Sequence, residues 1–165
     1  MSARSTLRIR SVLAWFMMLG LLGIGSTRAA ERIVTLRHEV TIEEAIAVKQ
    51  AFWPLRENTY IEGFLDDKEG YETYLWVAEV DLNDDGTPEL LCLLEHSYFC
   101  GTGGCSYYII QREGSGARVI GEGGGFPRLK IRILDRKDHG YHRIKSLDIM
   151  KWDGMRYQSI PSTHK

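Results

Sequence analysis

The sequence predicts an α+β protein in which an N-terminal helix packs on an antiparallel β-meander of about seven strands. One segment near the start of the chain spaces its apolar residues as a helix does. The remainder consists of short segments rich in β-branched and aromatic residues, separated by tight turns. No Pro-rich linker, internal repeat or change of composition divides these elements, so they are expected to form one domain.

The first thirty residues are predicted to be a signal peptide and not part of the fold. Arg4, Arg8 and Arg10 precede an apolar run, "SVLAWFMMLGLLGIG", of about fifteen residues. Small residues follow this run, with Thr27 and Ala29 spaced as at a cleavage site. The run is shorter than the roughly twenty residues of a bilayer span. The competing interpretation is an uncleaved N-terminal anchor.

Cleavage leaves residues 31–165 as a single α+β domain, periplasmic or secreted. Residues 31–100 carry 16 acidic and 5 basic side chains, and residues 101–165 carry 6 acidic and 12 basic ones. The domain is therefore net negative, which argues against nucleic acid as a partner. A protein or a cell-envelope component is the expected partner, and no membrane span remains after cleavage. The acidic excess of residues 31–100 and the basic excess of residues 101–165 have two interpretations. Either the two halves pack together and compensate each other's charge, or they form a polarised surface that steers a charged partner.

The helix is predicted from "VTIEEAIAVKQAFWPLREN", residues 40–58. Thr41 and Glu44 have the spacing of a capping box at its start. Pro54 is expected to kink or end it. The residues expected to face the sheet are Ile42, Ala45, Ile46, Phe52 and Leu55.

Seven strands are predicted at Thr73–Asp81, Glu89–Phe99, Ser106–Arg112, Ala117–Gly123, Arg128–Asp135, Arg143–Trp152 and Met155–Ile160. Glu89–Phe99 is almost continuously apolar, which is typical of a central strand covered on both faces. Arg128–Asp135 alternates: Leu129, Ile131 and Ile133 share one side, and Lys130, Arg132 and Leu134 share the other. Asp153-Gly154 is a strong hairpin signal.

The three cysteines predict one disulfide and one free thiol. Cys100 and Cys105 close the Gly-rich stretch "CGTGGC", where the two flanks of a hairpin face each other at a distance that a disulfide can span. Cys92 lies in the apolar run "ELLCLLEH" and is expected to be a buried, inert thiol.

The stretch "DLNDDGTPE" is a candidate calcium loop. Oxygen donors recur at alternate positions, Gly86 permits a sharp turn, and crowded carboxylates repel one another unless a cation offsets them. The candidate ligands are Asp81, Asn83, Asp85, the carbonyl of Thr87, and Glu89. The alternative is a turn in which Asx side chains bond their own backbone and no metal is needed.

This stretch resembles the DxNxDGxxE calcium loop of the integrin-type propeller repeats, the FG-GAP or VCBS-like repeats. The loop occurs once, and a propeller needs several blades, so the resemblance implies the loop and not the propeller fold. The wider pattern, "DLNDDGTPELL", "CGTGGCSYYII" and "WDGMRY", is similar to small uncharacterised bacterial exported proteins that carry a single such loop. That similarity implies no known activity.

No catalytic residue is singled out by a motif, and we expect a non-enzymatic binding or interaction module stabilised by calcium and a hairpin disulfide. Its contact surface is expected at the loops "CGTGGC", "DLNDDGTPE" and "GEGGGFP", if these gather at one end of the sheet. Crowded aromatic residues in the first strands are either core or a recognition surface. The alternative function is a small cell-envelope hydrolase or thiol-dependent enzyme in which Cys100 or Cys105 acts with His96.

Overall fold

The structure, a computed structural model, describes residues 31–52, 68–126 and 130–160. These residues are mostly β and include two helices, so the protein is broadly α+β, as predicted. The strands form two antiparallel sheets rather than one meander, and the described residues contain ten strands rather than about seven. Within these ranges neither helix is long and apolar enough to cross a membrane.

The elements follow the chain in the order β1 (Arg32–Thr35), α1 (Ile42–Phe52), α2 (Lys68–Tyr74), β2 (Leu75–Val80), β3 (Glu89–Leu94), β4 (Cys100–Gly101), β5 (Gly104–Glu113), β6 (Gly116–Phe126), β7 (Lys130–Asp138), β8 (Tyr141–Lys145), β9 (Ile149–Trp152) and β10 (Tyr157–Ile160). The first helix is therefore preceded by a strand that the sequence did not predict. The predicted signal peptide, Pro54, Leu55 and Leu129 lie outside the described residues.

Sheet A has the strand order β1-β7-β8-β9-β10. The predicted strand Arg143–Trp152 is in fact two strands, β8 and β9. They are separated by a turn in which the Ser146 amide donates to the Asp148 carbonyl at 3.0 Å. The hairpin predicted at Asp153-Gly154 joins β9 to β10, and Gly154 adopts the positive φ of 107° that the turn requires.

Sheet B has the order β2-β3-β5-β4, with β6 paired along the other edge of β5. Every residue of β3 is buried, which confirms the prediction of a central strand. Leu91 and Leu93 face a core between the two sheets, whereas Leu90, Cys92 and Leu94 face a second core under the helices. The apolar run is continuous because both faces of this strand are covered.

The helix α1 packs on the face of sheet B that points away from sheet A. The predicted capping box is present: the Glu44 amide donates to Thr41 Oγ1 at 3.2 Å, and the Thr41 amide donates to Glu44 Oε2 at 2.8 Å. The predicted buried face was partly wrong, since Ile42 and Ile46 are exposed. Ala45 and Phe52 are buried as predicted, and Ala47, Val48 and Ala51 complete the buried stripe.

The stretch "GEGGGFP" was predicted to be a loop, but its residues up to Phe126 belong to β6. Glycines occur here because the strand passes very close to its neighbours. A Cβ atom at Gly121 would lie 2.7 Å from Tyr157 Cβ, and one at Gly123 would lie 2.5 Å from Tyr107 Cε1. These glycines therefore serve packing between the sheets and not a surface loop.

Candidate functional site

The loop 81–88 joins β2 to β3 and is held by hydrogen bonds from its own backbone. Asp81 Oδ1 accepts from the amides of Asn83 at 3.3 Å and Asp85 at 3.2 Å. Asp81 Oδ2 accepts from the Gly86 amide at 2.9 Å, and Asp85 Oδ1 accepts from the Thr87 amide at 2.7 Å. The acidic side chains at alternate positions thus shape the turn by accepting hydrogen bonds from backbone amides further along the same loop.

The same loop connects the two sheets. The His142 amide of β8 donates to the Leu82 carbonyl at 2.7 Å, and Asn83 Nδ2 donates to Tyr141 Oη at 3.1 Å. Asp84, which has a positive φ of 62°, forms an ion pair with Lys137 of β7. The hydrogen bond from Lys137 is the largest cause of the lowered pKa of Asp84. The loop therefore has a structural role in joining sheet A to sheet B.

Glu89 at the end of this loop is almost fully buried, with 2% of its surface exposed. Its Oε2 accepts from the Leu82 amide at 3.0 Å. Burial, followed by smaller effects that include the charges of Asp85 and Asp81, raises the pKa of the Glu89 carboxyl. The other buried carboxylate, Glu44, is paired with Arg37 at 2.5 Å, whereas no described Lys, Arg or His forms an ion pair with Glu89.

Calcium was predicted at Asp81, Asn83, Asp85, Thr87 and Glu89. A carboxylate offers about four lone-pair positions, so the amide hydrogen bonds in this loop leave acceptor capacity for a cation. Among the described residues, however, no group of three or more His, Cys, Asp or Glu side chains is arranged to hold a metal ion. The turn interpretation is sufficient for the loop conformation, and the calcium site stays a prediction.

The predicted disulfide is present between Cys100 and Cys105, which face each other across the β4–β5 hairpin with Cα atoms 3.9 Å apart. This hairpin lies at the Leu94 end of sheet B, and the loop 81–88 lies at the Glu89 end. The two loops are therefore at opposite ends of the sheet. The expectation that they gather into one contact surface was wrong.

The bridge also occupies both cysteines proposed as nucleophiles. His96, the proposed base, accepts the Tyr98 amide at 3.2 Å through its Nδ1. Cys92 is free but completely buried, and burial raises its thiol pKa far above the usual range. The described cysteines thus offer no exposed thiolate.

The aromatic residues of the first strands are mostly core. Tyr71, Tyr107 and Tyr108 are buried, and burial is the main cause that raises the pKa of Tyr107 to about 12. Tyr98, in contrast, is 51% exposed beside the disulfide hairpin, where its ring meets Phe99 edge-on.

A charged surface that the sequence analysis did not single out lies on the outer side of sheet A. Ile131, Ile133, Ile144 and Met150 point into the core, so the residues that alternate with them point to solvent. We call the cationic residues of this side the basic face. They are Lys130, Arg132, Arg143, Lys145 and Lys151.

Only part of the basic face is neutralised. Arg132 pairs with Glu31 at 3.3 Å, and Arg143 pairs with Asp138 at 2.6 Å. Within the described part of the chain, the remaining three members form no ion pair: Lys130, Lys145 and Lys151. The face therefore presents uncompensated positive charge on a protein whose residues 31–165 are net negative.

Both interpretations of the uneven charge are partly right. Arg112 pairs with Glu79, Lys137 with Asp84, and Arg132 with Glu31, so some charges of the two halves do compensate each other, at the surface of the fold. The free lysines of sheet A, by contrast, lie on the side of the molecule opposite the helices, which expose Glu43 and Glu69 and in which Glu72 pairs with Lys68. The surface is polarised from one outer layer to the other.

Comparison of the chain with models of known protein families, with curated proteins and with solved structures finds no match in any of the three.

Proposed function

We propose that the protein is an exported, non-enzymatic binding module that contacts an anionic partner through the basic face. The observation that carries this proposal is the set of three lysines without ion pairs on the outer side of sheet A. The sheet backbone places these charges at fixed positions, so they act together on an approaching anion. The N-terminal pattern and the hairpin disulfide support a periplasmic or secreted location.

The alternative, a hydrolase or thiol-dependent enzyme, is less well supported. It requires a reactive thiolate at Cys100 or Cys105, and a bridged cysteine is not a nucleophile. It also requires His96 as a base, and one of the two ring nitrogens, Nδ1, already accepts a hydrogen bond from the Tyr98 amide.

Cation-exchange chromatography of residues 31–165 at pH 8 tests the basic face. The net charge of residues 31–165 is negative, so retention on a sulfonate matrix requires a local cluster of cations. The variant Lys130→Gln/Lys151→Gln should elute at clearly lower salt than the wild type. The control, Lys49→Gln/Lys68→Gln, removes the same charge from the helix layer and should elute close to the wild type. Equal shifts of the two variants would refute a localised binding face.

We further propose that the loop 81–89 binds calcium in a structural role, as the resemblance to the FG-GAP or VCBS-like loop implies. The specific observation in favour is Glu89, a buried carboxylate whose pKa is raised by burial and by the neighbouring Asp85 and Asp81. A cation at this position would offset that repulsion. Affinity in the sub-millimolar to millimolar range is expected, as in other extracellular modules.

Thermal unfolding with 2 mM calcium and then with EGTA tests this site. A dissociation constant of about 0.2 mM would stabilise the fold by about 1.4 kcal/mol, or roughly 4 °C in Tm. Glu89→Gln should abolish the calcium response yet be no less stable in EGTA, because glutamine still accepts from the Leu82 amide. Asp84→Asn is the matched control: it removes a charge that pairs with Lys137, and it should keep the response. An unchanged Tm in wild type would establish the stretch as a turn only.

A further inference from the structure

We propose that the anionic partner of the basic face is a phospholipid membrane surface, on which sheet A lies flat. This inference rests on the proposed function, because it identifies the partner of the same face. Uncompensated lysines on one side of a protein are attracted to anionic headgroups, and each basic residue near such a surface strengthens binding about fivefold.

Apolar side chains among the cations favour a membrane over an acidic protein. Ile33 pairs with Arg132 in the β1–β7 register and points to the same side, and it is 65% exposed. Ile149 and Ile160 pair with each other on β9 and β10 beside Lys151, and both are only partly buried. A surface that mixes cations with exposed aliphatic groups suits the boundary between headgroups and acyl chains.

The turns at the two ends of β9 continue this pattern. Leu147, in the turn before β9, is 60% exposed, and Met155, in the turn after it, is 75% exposed. They are among the few large apolar residues that the described part of the chain leaves largely exposed. A purely charged acidic surface would satisfy the lysines without burying these side chains, whereas an anionic bilayer supplies both negative headgroups and an apolar interior.

The position of the N-terminal apolar run agrees with this placement. The run ends at Gly25, and β1, an edge strand of sheet A, begins at Arg32. Seven residues span at most roughly 25 Å, so a chain that retains the run in a bilayer holds sheet A close to that bilayer. A chain that has lost the run binds through the basic face alone.

A fluorescent probe on the basic face tests the proposal with residues 31–165, the chain that has lost the apolar run and binds through the basic face alone. Gln158 is exposed on β10 opposite Lys151, and a Gln158→Cys variant can be labelled with an environment-sensitive dye because Cys92 is buried. Glu43→Cys on α1 is the matched control position. Vesicles of phosphatidylcholine alone are compared with vesicles that contain 30% phosphatidylglycerol, at low and high salt, and poly-L-glutamate serves as a soluble acidic polymer.

The proposal predicts a blue shift of the dye at position 158 only, with phosphatidylglycerol vesicles only, and reversal by 0.5 M salt. Lys130→Gln/Lys151→Gln should weaken that binding about 30-fold, whereas Lys49→Gln/Lys68→Gln should change it less than threefold. An equal response at positions 158 and 43, or with both lipids, overturns the proposal. A response to poly-L-glutamate without one to vesicles identifies an acidic protein instead. Retention on the sulfonate matrix tests the basic face itself, independently of any lipid. If the protein is retained there as expected but does not bind the vesicles, the membrane is rejected as the partner while the basic face stands as a binding surface.

Discussion

Substituting Gly123 by alanine tests how closely the strand β6 passes over the core. A methyl group there would lie 2.5 Å from Tyr107 Cε1 and 2.6 Å from its hydroxyl oxygen, well inside van der Waals contact. The ring cannot turn away freely, because Tyr107 is fully buried and its hydroxyl contacts Met150 Sδ at 2.7 Å and Ser146 Oγ at 3.2 Å. Overpacking costs about 1–3 kcal/mol, and a displaced buried hydroxyl costs about 1–3 kcal/mol more. We expect Gly123→Ala to lower the free energy of unfolding by about 3 kcal/mol.

Urea unfolding monitored by tryptophan fluorescence measures this loss. Gly124→Ala is the control in the next residue: nothing lies within 4 Å of its added methyl group, so its stability should change by less than about 0.5 kcal/mol. In a Tyr107→Leu background, which lacks the atoms that the new methyl meets, Gly123→Ala should become nearly neutral. Equal stabilities of the Gly123→Ala and Gly124→Ala proteins would show that β6 does not approach the Tyr107 ring as described.

Three further predictions concern the thiols, the pH dependence and the helix start. Alkylation of the native, unreduced protein should label no cysteine, and alkylation after unfolding without reductant should label Cys92 alone, as mass spectrometry would show. The hydrogen bond and charge of Arg143 lower the pKa of Asp138 in the folded protein. The Asp138 carboxylate therefore stabilises the fold at pH values above its unfolded-state pKa, and this stabilisation is lost as the pH falls through its lower folded-state pKa. Asp138→Asn should therefore lose less stability than wild type between about pH 5 and pH 2 in urea titrations. Thr41→Ala removes the cap of α1 and should cost about 1 kcal/mol in the same assay.

Local signals in the sequence predicted the local structure well. The capping box at Thr41 and the turn at Asp153-Gly154 depend on residues within a few positions of each other, and both are present. The Cys100–Cys105 bridge closes a short hairpin and is local in the same sense. Both faces of β3 are covered, so its residues form an uninterrupted apolar run. That run made the buried strand predictable from the sequence.

Pairings between distant segments could not be predicted. β1 is a strand only because β7, about a hundred residues later, pairs with it. The glycines of β6 have no strand propensity, and what requires them is the ring of Tyr107 on the neighbouring strand. The acids of "DLNDDGTPE" predicted a turn and a metal loop equally well, since the same side chains serve both.

The basic face shows how a net charge can mislead when the arrangement of charges is not considered. Summed over residues 31–165 the charge is negative, which directs attention away from anionic partners. Yet β7 places Lys130 and Arg132 on one side and Ile131 and Ile133 on the other, so burial of the isoleucines exposes both cations together. The alternation of cations and isoleucines within β7 can be read from the sequence of that strand. Only the sheet order brings Lys145 and Lys151 beside it, because β8 and β9 follow β7 in space. A partner should respond to this local field, since charges more than about 10 Å apart are screened at physiological salt.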